Sequence, residues 1–314
     1  GEEYLTFSRR KLDSDEEVVF LSVTDLAKPF DYFTMDDWEI SPNNQLIAYS
    51  YNTNGDERYR IVVKDLTTGQ MLSDELTDTS GDIVFSADSQ SIVYGSLASD
   101  RWYTESVKVH TLGSKQASDK AIFSESDDGF FIGFGLTSSN EFLVISTGQS
   151  ETSEVYVVPA TDFTAAPVQL VSREQQFLSK IDHANGYFYI LANDTHTNSR
   201  LAKVADAEPI YANWETVIAG SNERYLMEMQ TFQKFISVAS RENGIERFTL
   251  YDYSGKEQDV EFPESVFSVS NGINREFKQD FVRINYNSMI TPSTVFDYNV
   301  VNKELLTKKV QEIP

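Results

Sequence analysis

Short apolar stretches alternate with polar turns along the whole chain, and the alternation has a repeating unit. In "SPNNQLIAYSYNTNGDERYRIVVKDLTTG" (Ser41–Gly69), apolar or small residues recur at Leu46, Ala48 and Ser50, then at Ile61 and Val63. Every second side chain of a strand shares a face, so this pattern predicts two strands joined by a polar tip. The turn-then-strand signal returns at "SADSQSIVYGS" (Ser86), "SSNEFLVIS" (Ser138), "ANGYFYILA" (Ala184), "FQKFISVAS" (Phe232) and "KQDFVRINY" (Lys278). Successive intervals are 45, 52, 46, 48 and 46 residues. A period of about 40 to 50 residues holding several strands points to β-propeller blades. Helical periodicity appears nowhere over a useful length.

Each period parses into four strands. The first complete unit holds Trp38–Ser41, Leu46–Asn52, Tyr59–Asp65 and Gln70–Leu76; the second holds Ile83–Ser86, Ser91–Leu97, Ser106–Leu112 and Ala121–Ser124. The third runs Phe131–Leu136, Glu141–Thr147, Glu154–Val158 and Pro167–Val171, and three further units follow in the same way. The expected blade limits are 36–80, 81–128, 129–175, 176–222, 223–263 and 264–314. Ahead of them, within 1–35, "YLTFSRR" and "EVVFLSV" supply only two strands, the outer half of a blade whose inner hairpin is missing. The expected fold is therefore all-β: a single-domain, seven-bladed β-propeller with an incomplete first blade. Blades must bury both faces against neighbours, so Trp38, Trp102 and Trp214 read as core or inter-blade filling.

Composition narrows the function. The 314 residues suit one large β domain, and 40% hydrophobic with 13% aromatic content supplies a core rich in strand formers. Against 26 Lys and Arg stand 49 Asp and Glu, a formal charge of −23 that repels phosphate backbones and argues against nucleic acid as a partner. Such a surface serves solubility or attracts basic ligands, and composition leaves both readings open. With no cysteine there are no disulfides, thiolate metal sites or Cys nucleophile, which fits a reducing, cytoplasmic setting. No apolar run approaches the roughly 18 residues of a membrane span, and no signal-peptide pattern opens the chain. "GEEYLTFSRR" begins directly in strand-like sequence, as an excised domain would.

Candidate chemistry is sparse. A serine nucleophile needs an imidazole base within about 3 Å and an orienting carboxylate. His110 sits at a strand end, His183 precedes the turn "ANG" and His196 lies in "NDTHTNS", so all three read as structural or solvent-exposed. No H-x-x-x-H spacing occurs, and "DSDEE" (Asp13–Glu17) lacks the Gly and terminal Glu of a calcium loop, so no metal or cofactor is expected. Carboxylates are numerous, but spacing singles out no acid–base pair. The sequon at Asn193 reads as a chance match.

The segment "WEISPNNQLIAYSYNTNGDERYRIVVKDLTTGQMLSDELTDTSGDIVFSADSQSIVY" resembles the propeller domain of the prolyl oligopeptidase family of serine peptidases. It is most similar to the oligopeptidase B (protease II) branch, which cuts short peptides after Arg or Lys. "STGQSETSEVYVVPA" (Ser146–Ala160) and "YNSMITPSTVFDYNVVNKELLTKK" (Tyr286–Lys309) continue a likeness that covers essentially the whole chain. The resemblance implies a nucleophile in a G-x-S-x-G elbow of an α/β-hydrolase domain C-terminal to the propeller. No G-x-S-x-G occurs here, and "KKVQEIP" falls about where the family passes into that domain. By itself the chain is thus expected to be non-catalytic, covering the active site of its parent and admitting short peptides. A free-standing scaffold binding protein or peptide on its loops is the alternative; a propeller glycosidase or lyase would need two converging carboxylates.

Antiparallel order puts the start of the inner strand, the second-to-third loop and the end of the outer strand of each blade on one face. The loops there include Thr53–Arg58, Ala98–Tyr103, Glu125–Gly129, Gly148–Ser153, Ser172–Gln176, Asn193–Asn198, Arg241–Gly244 and Asn287–Pro292. Candidate interdomain gating residues on them are Asp56, Glu57, Arg101, Glu125, Asp127, Glu151, Arg173 and Arg241. The resemblance makes Arg101 and Glu125 the counterparts of charged residues that bias closed against open, although "SDRWYTESVKVHTLG" departs from the family spacing. Exposed ion pairs contribute roughly 0 to 1 kcal/mol each, so a gate needs several together. The partners implied are the hydrolase domain of the parent chain and short basic peptides.

Overall fold

The computed structural model describes residues 4–11 and 14–313; Asp13, at the head of the Asp13–Glu17 run, lies outside them. The recurrent turn explains the repeat. Ser41 donates its hydroxyl to Asn43 Oδ1 (2.7 Å) and accepts from the Leu46 amide (2.9 Å). Ser86 does the same with Asp88 Oδ1 (2.6 Å) and the Ser91 amide (2.9 Å). In each turn a residue adopts positive φ (Asn44 60°, Ser89 61°, Asn140 59°), a conformation that short polar side chains tolerate. The serine hydroxyl satisfies backbone groups that the reversal leaves unpaired, so the motif starts the second strand of a blade.

From these turns spring meandering antiparallel sheets. Thr6–Arg10 pairs with Glu17–Ser22 in a two-stranded sheet, followed by the short helix Val23–Ala27, whose Asp25 amide is capped by Ser22 Oγ. Four sheets have four strands each. They are Phe131–Leu136, Phe142–Gly148, Ser153–Pro159, Val168–Val171; Ser179–Ala184, Tyr187–Ala192, Arg200–Ala205, Glu215–Ile218; Arg224–Thr231, Phe235–Glu242, Ile245–Asp252, Glu257–Asp259; and Phe267–Asn271, Phe281–Ser288, Thr294–Asn299, Glu304–Val310. Several limits coincide with the sequence reading, among them Leu46–Asn52, Tyr59–Asp65, Ser91–Leu97 and Phe131–Leu136.

One feature departs from it. The expected strands Gln70–Leu76 and Ile83–Ser86 are a single 15-residue strand, Met71–Phe85, so the first two complete units form one seven-stranded sheet. Thr79 joins the two halves by pairing with Tyr59 on one side and Ser96 on the other, and pairing resumes at Ile83 after a shift of register. The strand bends at Asp78 (φ 56°) and Gly81 (φ 105°). Glycine is required at the second bend: a Cβ there would stand 2.4 Å from Asp36 Oδ2.

By contact the chain divides into two compact units, one running to Phe134 with Val158–Pro167, the other comprising Gly135–Val157 and the chain from Val168 onward. Within each, central strands are buried on both faces, as in Ser91–Leu97. Alternate residues serve opposite neighbours: Ile47 and Tyr49 pack with Phe20 and Leu21 of the two-stranded sheet, while Ala48 packs with Ile83, Phe85 and Ile92. In the second unit, Val155 and Leu170 meet Phe188 and Ile190, Leu191 and Leu201 meet Leu226 and Val238, and Phe248 and Leu250 meet Ile284 and Phe296. Trp38 fills such a layer against Phe7 and Phe20, and Trp214 packs on Phe177 and Tyr211. Trp102 does not follow the expectation for the tryptophans: it sits in the loop after Leu97 and is 64% exposed.

Apolar layers fix neighbours but not their register; carboxylates on innermost strands do that. Asp37 Oδ2 accepts the Ile83 amide (3.1 Å), Asp182 Oδ2 accepts the Thr231 amide (2.8 Å), and Glu228 Oε1 accepts the Asn271 amide. Each joins a residue to one 46, 49 or 43 positions on, one repeat further along the chain. Asp182 also accepts from the Ser138 amide and hydroxyl (both 2.7 Å) and from the His183 amide (2.9 Å). Meandering sheets packed through such layers make an all-β propeller.

Candidate functional site

Antiparallel order brings the loops between second and third strands, and the connections between sheets, to one end of each sheet. In the first unit three of these loops are tied together. Arg58 donates to Asp78 (2.7 Å) and to the carbonyl oxygens of Ala98 and Arg101 (2.9 Å each), anchoring the 98–103 loop to its own. Arg101 then pairs with Asp128 and donates to the Tyr103 hydroxyl (3.0 Å). Asp56 accepts from Asn54 Nδ2 (2.8 Å) and from Asn52; the Arg58 amide first, then Asn52, hold its carboxyl below the usual range. Glu125 caps the amides of Ser126 and Asp127 (3.0 and 2.9 Å), and Asp127 accepts from the Gly129 amide (2.9 Å).

Of the sequence candidates, Asp56, Glu57, Arg101, Glu125 and Asp127 thus belong to one tied set of loops. Arg101 pairs with Asp128, one residue past Asp127, and more distantly with Asp100 (3.9 Å). In the second unit, Arg173 donates through Nε to the buried Glu154 (2.7 Å), and Arg241 pairs with Glu246 (2.8 Å), which also accepts the Val269 amide. Those two arginines brace their own sheets. Glu151 is exposed, with no side-chain hydrogen bond or ion pair among the described residues.

Two features escaped the sequence reading. Arg58 was one of several loop charges, whereas its guanidinium spans two loops. The second is an aromatic recess of about 310 Å³ lined by Glu57, Tyr59, Ser80, Trp102, Tyr103 and Phe131. Its rings touch mutually, with centroids 5.8 Å apart for Trp102–Tyr103, 6.2 Å for Trp102–Phe131 and 5.7 Å for Tyr103–Phe131. Burial, then the charges of Asp36, Tyr32 and Glu57, push the Tyr59 hydroxyl up. Burial, then Asp82 and Asp37, raise Asp36. The adjacent "RWY" after an acidic loop was the available signal. In the second unit a larger cleft, about 900 Å³, is lined by Glu246, Ser268, Tyr286, Thr294 and Lys309, beside the exposed hairpin tip Met289–Ile290.

The histidines occupy structural positions. His110 is buried, with Nδ1 2.9 Å from Asp119 and Nε2 3.1 Å from Asp74. His196 Nδ1 accepts the Asn198 amide (3.0 Å). His183 joins Ser139 Oγ (2.8 Å) to Asp206 (3.3 Å), the residue set of a serine triad. Its surroundings do not suit catalysis. The imidazole is fully buried and packed edge-on to Phe142 and Phe188, both centroids within 5.1 Å, which leaves no space for an acyl group. Ser139 Oγ is further engaged by Thr137 Oγ1 (3.0 Å) and the Glu141 amide (3.2 Å), inside a turn rather than at a strand–turn–helix elbow. Among the described residues, no group of three or more His, Asp or Glu could hold a metal ion, and no helix is long and apolar enough to cross a membrane.

Paired sheets, inner-strand carboxylates and one loop-bearing end per sheet define the class: a seven-bladed β-propeller with an incomplete first blade. The profile of the family "Prolyl oligopeptidase, N-terminal beta-propeller domain" matches residues 1–311, and the chain belongs to that family. It is 30% identical over 299 residues to dipeptidyl aminopeptidase BI of Pseudoxanthomonas mexicana and 29% identical over 311 residues to protease 2 of Moraxella lacunata. Each alignment takes in 95% of this chain but only 41% and 43% of those relatives' lengths. Oligopeptidase B of Leishmania major superposes with a TM-score of 0.88 at 21% identity, over 97% of this chain and 44% of that one. The Trypanosoma brucei oligopeptidase B, in its closed form with covalently bound antipain, gives 0.86 at 20% identity. These two likenesses show the fold.

Proposed function

We propose that this propeller is the non-catalytic lid and size filter of a serine oligopeptidase that cleaves short peptides after Arg or Lys. The observation that carries the reading is the tied rim of the first unit, where Arg58 and Arg101 join three loops by charged contacts at one end of their sheets. Family membership supports it, as does a chain spanning about two fifths of its relatives' lengths. Asp56, Glu57, Arg101, Glu125, Asp127, Glu151, Arg173 and Arg241 are the proposed boundary residues, facing a hydrolase domain of the same parent chain. Several weak exposed pairs acting together suffice to shift an open–closed equilibrium. The net charge of −23 draws basic peptides and repels nucleic acid, and a chain without cysteine suits the cytoplasm.

The test joins this chain to the catalytic portion of the Moraxella protease 2 relative. The fusion should cleave a short Arg-containing fluorogenic peptide and spare a folded protein with exposed Arg loops, while the catalytic portion alone loses that discrimination. Turnover by this chain alone, or equal size selectivity without it, overturns the proposal.

A further inference from the structure

The aromatic recess of the first unit has the chemistry of a cation site. Trp102 and Phe131 are 64% and 51% exposed, unusual for large rings on a surface this acidic. They line a concavity together with Glu57. Glu57 has no ion-pair partner among the described residues, and nor does Asp36, whose charge also acts on the Tyr59 hydroxyl. Aromatic faces carry negative quadrupole density, so rings beside unneutralised carboxylates attract a flat, weakly hydrated cation. The chain itself holds one such cation here: the Arg101 guanidinium carbon lies 5.7 Å from the centre of the Tyr103 ring, and Nη1 donates to that tyrosine's hydroxyl (3.0 Å).

We infer that this recess binds the guanidinium or ammonium group of a basic side chain in a short extended peptide, with Trp102 and Phe131 as the stacking surface and Glu57 as counter-charge. The peptide's identity rests on the proposed function; binding itself is a property of this chain. Guanidinium stacks better than ammonium on such rings, so Arg should outrank Lys.

The probe is an acetylated, amidated Gly-Arg-Gly peptide, titrated into the full chain while tryptophan emission is followed, with the citrulline isostere as the neutral control. Trp102 is the exposed tryptophan, so Trp102→Phe should remove most of the emission change and, because phenyl is the poorer stacking face, weaken binding several-fold by calorimetry. Arg should bind roughly tenfold or more tighter than citrulline, the combined effect of one exposed stacking contact and one charge pair. Glu57→Gln and Phe131→Ala should each weaken the Arg peptide several-fold, whereas Glu276→Gln, removing one exposed charge elsewhere, should not. Equal affinity for Arg and citrulline, or an equal effect of Glu57→Gln and Glu276→Gln, overturns the inference. Loss of size selectivity in the fusion with this binding intact would instead sink the lid reading alone.

Discussion

Removing the Asp182 carboxylate should cost the second unit a large share of its stability. Asp182 is 7% exposed and accepts four hydrogen bonds, from Ser138 N and Oγ, His183 N and Thr231 N. In Asp182→Ala the Ser138 hydroxyl can turn elsewhere, but the buried Thr231 and His183 amides and the part-buried Ser138 amide lose this acceptor. Each buried donor left unmade costs about 1–3 kcal/mol, so the sum is about 4 kcal/mol, in line with the loss expected on breaking a buried charged contact. With a urea dependence near 3 kcal/mol per M, as for the larger single domains, the midpoint should fall by roughly 1.3 M. Trp214, packed in the same unit, reports the transition, and hydrogen exchange at the Thr231 amide reports the lost bond directly. Asp182→Asn keeps an acceptor for Ser138 N but sets an amide against Thr231 N, so about half the loss should remain. A midpoint within 0.2 M of the parent (roughly 0.6 kcal/mol on the same slope), with Thr231 still protected, would refute the claim that inner-strand carboxylates hold consecutive sheets in register.

Arg58→Ala should cost about 2 kcal/mol through its two carbonyl contacts and open the 98–103 loop to limited proteolysis, with Arg58→Lys rescuing little because an ammonium cannot span both loops. Gly81→Ala should destabilise by about 2 kcal/mol or more, from its positive φ and the approach to Asp36, measured as a lower urea midpoint. Because the folded-state pKa of Asp36 is raised above its ordinary value of 3.8, the folded chain binds the extra proton, and stability falls as pH rises from that value through the folded one. Asp36→Asn should therefore raise the melting temperature at pH 7, with the gain vanishing in acid where the carboxyl is protonated in both states. Ser139→Ala should cost about 1 kcal/mol of stability and leave nitrophenyl ester hydrolysis at background; a drop in hydrolysis would make the His183 contact catalytic.

What the sequence determined by itself was local. Alternation of apolar residues and the Ser-x-Asn/Asp turns depend on neighbours within about a dozen positions, so limits such as Ser91–Leu97 and the incomplete first blade were legible from the order of residues. Charged loop residues could be placed at one end of their sheets from strand parity alone. Which of them touch could not, because those contacts join residues 20 to 43 positions apart: Arg58 with Asp78 and with the Arg101 carbonyl, Arg101 with Asp128. The same holds for Asp37, Asp182 and Glu228, whose carboxylates accept from amides one repeat away along the chain. Met71–Phe85 runs on because Thr79 finds partners on both sides, and Trp102 stays 64% exposed although its ring meets Tyr103 and Phe131. Backbone period is written in short-range side-chain preference; contact between distant segments exists only once hydrophobic layers have set the sheets face to face.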